Sequence, residues 1–255
     1  MPRLRFLAIA SVVSGLVWPA AALAQIDTDQ GWQVSVTPYL WLPGAKGDLG
    51  AAAGLPPTPV NAHFSDLFNK LSGFGMIKGD VRYGSFGALA DYTTISIAGD
   101  HDLSTPGGRL NVSGEVKASA DGATLAGFYR FYASERFNGD VLIGARYTEA
   151  KISAEVALNN LSASGSNKIN TWDPIIGVKG AMRTGEHGSL TGYADLDPFE
   201  SRLPVWQVSG AYNYRFTDLL MGSLGLRAYG VDLQENGFEY RLTLFGPLVG
   251  LTFVF

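Results

Sequence analysis

The chain has 255 residues, 46% hydrophobic and only 16% charged, with 32 Gly, no Cys and a formal net charge of −4. So few charges beside so many apolar residues exclude a disordered chain, and the lack of Cys removes disulfide frameworks, zinc-thiolate sites, cysteine nucleophiles and lipidated cysteines. The acidic balance, without any Lys/Arg stripe, gives no electrostatic footprint for a nucleic-acid partner.

Arg3 and Arg5 precede an apolar stretch from Phe6 to Trp18, and small residues follow up to Ala22-Leu23-Ala24. Charged start, short apolar middle and A-x-A end predict a secretory signal over residues 1–24, cleaved between Ala24 and Gln25. The apolar stretch, interrupted by Ser14, Gly15 and Pro19, is too short for a membrane anchor. Cleavage would remove two of the 19 basic residues and leave 17 against 23 acidic ones, a charge of −6 on an exported chain of residues 25–255.

From there on apolar residues recur at every second position between Gly-rich or polar breaks, a strand pattern. Trp32, Val34, Val36, Pro38, Leu40 and Leu42 alternate with Gln33, Ser35, Thr37, Tyr39 and Trp41. A long break from Pro43 to Ser72 follows; in it Val60 to Phe64 is strand-like, and Ser65 could cap a helical turn sharing Leu67, Phe68 and Leu71 on one face. It would be either a plug folded into a barrel mouth or a knob on the rim.

Ile77, Gly79, Val81 and Tyr83 then oppose Lys78, Asp80 and Arg82; Phe86, Ala88, Ala90 and Tyr92 oppose Asp91 and Thr93; Leu125, Gly127, Tyr129 and Phe131 oppose Thr124, Phe128 and Arg130; Val141, Ile143, Ala145 and Tyr147 oppose Asp140, Arg146 and Thr148. Trp172, Pro174, Ile176, Val178 and Met182 oppose Asp173, Lys179 and Arg183; Leu190, Gly192, Ala194 and Leu196 oppose Asp195 and Asp197; Trp206, Val208, Gly210, Tyr212, Tyr214 and Phe216 oppose Gln207, Ser209, Ala211, Asn213 and Arg215; Leu220, Leu224, Leu226 and Ala228 oppose Ser223, Arg227 and Tyr229. Charge thus always sits opposite the bulky apolar face. A soluble sandwich hides its apolar face, whereas a membrane barrel turns it to lipid and keeps charge in the lumen.

Short breaks at Gly84-Ser85, Ala133 to Arg136, Thr184 to His187 and Thr217-Asp218 alternate with longer ones, apart from a compact Gln234 to Gly237 break. The expectation is an all-β transmembrane up-and-down antiparallel barrel of ten strands, with short periplasmic turns, longer extracellular loops and a long first loop holding the helical turn. The pair Val112 to Tyr132 and Gly139 to Val156 alternates for longer than a crossing needs and would project beyond the outer leaflet.

The stretches TPYLWLPGAKGD, RYGSFGALADYTTI, TWDPIIGVKG and LGLRAYGVDL, followed by FGPLVGLTFVF, resemble a widespread group of uncharacterised proteobacterial outer-membrane β-barrel proteins. The resemblance implies a Gram-negative outer membrane and a barrel, and brings no catalytic residue. Val249, Leu251, Phe253 and the terminal Phe255 look like the signal read by barrel-insertion machinery, which with outer-membrane lipid would be the partners; the protein is expected to be monomeric.

Three functions compete. The fourteen lumenal charges, Lys78, Asp80, Arg82, Asp91, Arg130, Asp140, Arg146, Asp173, Lys179, Arg183, Asp195, Asp197, Arg215 and Arg227, could line a porin-like path for small polar solutes or pair up and fill a narrow barrel. The outer loops could bind a surface ligand. A rim hydrolase could use Asp100-His101-Asp102, or Asp195, Asp197 and Glu200, as acid and base. The set His63, Ser65 and Asp66 is adjacent in sequence rather than positioned, and His187 falls in a short turn. No cofactor or metal motif is present. The leading expectation is a non-catalytic envelope protein with a narrow or plugged lumen.

Overall fold

The structure, a computed structural model, describes residues 31–49, 58–65, 70–104, 111–158, 161–199, 205–235 and 238–255. The segment predicted to be a signal, with Ala24 and Gln25, lies outside them. Twelve strands follow one another: β1 (Trp32–Trp41), β2 (Gly44–Leu49), β3 (Thr58–Ala62), β4 (Leu71–Tyr83), β5 (Phe86–Ser104), β6 (Asn111–Ala133), β7 (Phe137–Leu158), β8 (Leu161–Arg183), β9 (Gly188–Leu196), β10 (Trp206–Arg215), β11 (Leu220–Glu235) and β12 (Phe238–Val254).

All pairings are antiparallel, β1 next to β4 and then in chain order to β12, which returns to β1 and closes a ten-stranded barrel. Strands β2 and β3 are not additional crossings. β2 carries on the pairing of β1 along β12, with Trp41 opposite Leu248 and Gly44 opposite Phe245. Between them the Leu42 N–H still bonds the Pro247 carbonyl at 3.0 Å. Pro43 and Pro247 have no N–H to give, so a single strand reads as two. β3 pairs with β2 alone, so this hairpin raises the wall instead of folding into the mouth. The strand expected at Val60 to Phe64 is found two residues earlier. A helical turn begins at Phe64 and Ser65; Asp66, Leu67 and Phe68 lie outside the described residues.

Closure fixes the tilt. The row of paired residues Trp32, Tyr83, Phe86, Tyr129, Val141, Val178, Ala194, Val208, Ala228 and Phe245 returns to the first strand at Gly44, twelve residues above its start. An offset of that size in ten strands corresponds to a tilt of about 40°. Such a barrel is slightly wider than the eight-stranded kind, whose side chains fill it.

The two faces separate as period-2 alternation demands. Leu125, Ile143 and Leu224 are 66%, 70% and 66% exposed on the outside. Leaving ten such side chains in water would forgo on the order of 15 kcal/mol, as much as a whole domain's stability, so the outer surface requires an apolar solvent. Aromatic rings border it at both ends. Trp32–Tyr83 and Phe86–Tyr129 (centroids 5.2 Å apart in each pair) and Tyr214–Phe216 (5.4 Å) ring the short-turn end; Tyr147–Trp172 (5.1 Å), with Phe74, Trp206 and Phe245, ring the other. From Phe137 to Tyr147 along β7 the tilted strand rises about 25 Å, the height of a barrel's lipid-facing band. At the short-turn end Gly84 takes a left-handed conformation (φ 57°) in the tight β4–β5 turn, and Phe255 exchanges backbone bonds with Val34 (2.9 and 3.4 Å). Val249, Leu251, Phe253 and Phe255 all face outward.

Beyond the upper ring β5 and β8 continue with β6 and β7, and β11 and β12 run on beside the β2–β3 hairpin. β5 runs to Ser104, and Leu158 pairs directly with Leu161, so most of the loops expected at Gly99 to Asn111 and Leu158 to Lys168 is strand. In β8 the described side chains there, Ser164, Ser166, Lys168 and Asn170, are exposed, and so is Gly165 between them, so this stretch carries no apolar alternation to read. There Glu149 accepts from Tyr147 at 2.5 Å and pairs with Lys168 at 2.9 Å, two donors that hold its carboxyl below the usual carboxylate range. Glu235 pairs with Phe238; the intervening Asn236-Gly237 lie outside the described residues.

Candidate functional site: a lumen closed by one layer

Inward-pointing residues build the site, and a purely polar lumen is not what they build. Leu89, Ala126, Phe128, Leu142 and Ile175, from β5 to β8, form a buried apolar cluster inside the barrel, with Tyr193 packed against it. Gly87 makes room for it, since a Cβ there would lie 2.2 Å from the Phe128 ring. The Lys179 ammonium sits 3.5 Å from the centroid of that same ring, a cation–π contact.

Just inside the upper aromatic ring, side chains from seven strands join across the lumen. Arg146, next to Tyr147, donates to Asp195 at 2.5 Å, to Thr124 at 3.2 Å and to Gln207 at 3.4 Å. Arg227 donates to the same Gln207 oxygen at 2.7 Å and to the Tyr39 hydroxyl at 2.8 Å, and lies 3.6 Å from Asp91. Tyr39 in turn donates to Asp91 at 2.6 Å. Each guanidinium also covers a ring, Arg146 that of Tyr229 at 5.4 Å and Arg227 that of Trp41 at 4.8 Å. Arg146 and Arg227 are only 3% and 8% exposed, and Trp41, Asp195 and Gln207 are buried with them. Two buried guanidinium ions thus meet two carboxylates, the pairing that burial of charge requires.

Below this layer a cavity of about 440 Å³ runs toward the short turns. Asn138, Ala181, Ser189 and Met221 line both it and a second cavity of about 140 Å³ bounded by Gly185, Glu186 and His187, so the lumen reaches the barrel mouth at that end. Among its charged groups Arg130 and Asp140 form a two-bond pair (2.7 and 3.2 Å), Arg82 donates to Gln33 (2.5 Å) and to the Gly84 carbonyl (2.6 Å), and Lys179 bonds Asp80.

The fourteen predicted charges divide among these regions. Lys78, Asp80, Arg82, Asp91, Arg130, Asp140, Lys179 and Arg227 line the larger cavity; Arg183 and Arg215 line the smaller one; Arg146 and Asp195 belong to the closing layer. Asp173 and Asp197 are buried nearer the long-loop end, Asp173 accepting from Thr171 at 2.9 Å and Asp197 capping the Phe199 N–H at 2.8 Å. A search for charge passes over the neutral members of the layer, Gln207, Tyr39, Thr124 and Trp41. Their only sequence signal is their position on the inward alternation.

The residues considered for catalysis are scattered. Asp100, His101 and Asp102 pair with Glu115, Gly114 and Ser113 in the projecting sheet, far along the chain from Asp195 and Asp197, whose carboxylates already have the partners described above. His63 and Ser65 are exposed beyond β3, Glu200 is outside the described residues, and His187 stacks near Tyr214 at 5.9 Å in its short turn. Among the described residues no three His, Asp or Glu gather as a metal site.

No family model matches the chain, and no curated protein sequence matches it. Among solved structures it resembles the outer membrane protease OmpT from Escherichia coli, at 14% identity over 89% of this chain and 97% of that one, with a TM-score of 0.59. It also aligns with the translocator domain of the autotransporter NalP from Neisseria meningitidis, at 14% identity over 88% of each chain, with a TM-score of 0.44. At such identity the likeness to OmpT is one of fold, and it agrees with the closed antiparallel barrel described above.

Proposed function

We propose that this protein is a non-catalytic barrel of a Gram-negative outer membrane, exported by its N-terminal signal, whose lumen is a narrow channel held shut by the Arg146–Gln207–Arg227 layer. The observation that carries the reading is the combination of a lipid-compatible belt with a cavity of about 440 Å³ that stops at a buried charged layer. By the usual orientation of such barrels, short turns in the periplasm and long loops outside, the cavity is a periplasmic vestibule. Arg146 Nη1, Arg227 Nε, Asp195 Oδ1 and Trp41 Nε1 have no protein partner, valences that pore water would take up if the layer parted.

Single-channel recording in a planar bilayer tests this. The intact protein is expected to be silent, and the double substitution Trp41→Ala, Arg227→Ala to conduct. Steady conductance by the intact protein, or silence of both, would refute a lumen closed by this layer.

The four-stranded extension of β5 to β8 favours a second reading, a surface barrel that binds a ligand through that projecting sheet. Loss of binding to host matrix or to neighbouring cells on trimming the extension, with the barrel intact, would favour it over the channel.

A further inference from the structure

The vestibule has two walls of different chemistry. From β4, β6, β7 and β8 it receives Lys78, Asp80, Arg130, Asp140 and Lys179; from β1 and β9 to β12, the other half of the circumference, it receives, apart from Arg227 of the closing layer, the uncharged Thr37, Thr191, Asn213, Ser223 and Thr252. Its charged lining counts five basic groups (Lys78, Arg82, Arg130, Lys179 and Arg227) against three acidic ones (Asp80, Asp91 and Asp140), in a chain whose net charge is −4. The cavity is therefore a positive interior in an acidic protein.

Part of the excess is localised at two lysines. Arg130 and Asp140 neutralise one another, whereas Lys78 and Lys179 share the single carboxylate of Asp80. One Asp80 oxygen bonds Lys179, and the other stands 3.5 Å from Lys78, beyond the distance of a good charge-assisted bond. The Lys78 side chain is 34% exposed on the inward face, so its ammonium keeps donors available to the cavity. On the uncharged wall, which begins at Thr37 beside Lys78, Thr37 bonds Thr252 (2.8 Å) and Ser223 donates to Asn213 (2.7 Å); each hydroxyl retains capacity for a further partner.

We propose that the vestibule binds a small hydroxylated anion of the sugar-acid class, its carboxylate at Lys78 and Lys179 and its hydroxyls on Thr37, Asn213, Ser223 and Thr252. A cavity of about 440 Å³ holds a molecule of that size, and neither wall alone matches it. A plain carboxylate leaves the hydroxyl wall unused, and a neutral sugar leaves the ammonium excess uncompensated.

The proposal rests on the vestibule described under Proposed function, and the measurement separates the two. Titration calorimetry of the whole refolded barrel in detergent would use D-gluconate, D-glucose and propionate as probes. Gluconate is expected to bind at least tenfold more tightly than either of the others. Lys78→Gln should abolish its advantage over glucose, Lys78→Arg should keep most of it, and Lys151→Gln, outside the lumen, should change nothing. Equal binding of gluconate and propionate, or of gluconate and glucose, overturns the proposal with no variant needed; so does an unchanged gluconate affinity in a folded Lys78→Gln barrel. A barrel that conducts yet binds gluconate refutes the closed layer alone, and a silent barrel that ignores gluconate refutes the ligand alone.

Discussion

The side-chain carbonyl of Gln207 accepts from Arg146 at 3.4 Å and from Arg227 at 2.7 Å, so one neutral residue of β10 ties β7 to β11 across the lumen. Gln207→Leu keeps the bulk and removes the acceptor, leaving two guanidinium ions facing each other with less compensation. A loss of about 2 to 3 kcal/mol is expected, the usual cost of unpairing charged donors in a buried site. The midpoint of urea unfolding in lipid vesicles, followed by tryptophan fluorescence, measures it; an unchanged midpoint would mean the layer does not hold the strands together.

The outward and inward faces give opposite responses to the same charge. Leu224 is exposed at the middle of the belt and Ser223, beside it in sequence, looks into the cavity. Leu224→Arg should destabilise the barrel by roughly 2 to 4 kcal/mol, while Ser223→Arg should be tolerated. Equal effects in the same unfolding assay would contradict the face assignment.

That assignment was legible in the sequence because lipid and lumen impose opposite demands on alternate residues from Trp32 to Phe255. Above the belt the demand vanishes: residues 164–166 are exposed on both faces, and 99–104 and 161–170 read as loops, though they are paired strand. Where Pro43 and Pro247 face the same ladder, one strand looked like a strand and a loop. The site was half legible. Charge marked Arg146, Asp195 and Arg227, but Gln207 and Tyr39, which connect them, are neutral, and inward Leu89, Leu142 and Ile175 are apolar on the face expected to be polar.

Because the belt ends at Tyr147 and Trp172, the part of β7 and β8 beyond Lys151 and Lys168 should contribute little to the barrel. Joining residue 151 to 168 with a two-residue Asn-Gly turn, in place of 152–167, should leave heat-modifiable gel mobility as in the intact chain. A barrel that melts at markedly lower temperature would show that the extension supports the wall.

Phe255 closes the barrel seam through its backbone bonds to Val34 while its ring points outward, available to an insertion machinery. Deleting it should lower the fraction assembled in cells severalfold, yet refolding of the purified chain into detergent should remain efficient, since few contacts are lost. Equal losses in both settings would assign Phe255 a structural role alone.

A lumen open at one mouth and sealed below the other is a cul-de-sac. Whatever enters past His187 and Arg215 must leave by the same route, so occupancy follows the concentration in that single compartment rather than a gradient across the wall. On the proposed function, as long as the layer of Gln207 holds, the barrel would register the contents of one side of a membrane and carry nothing to the other.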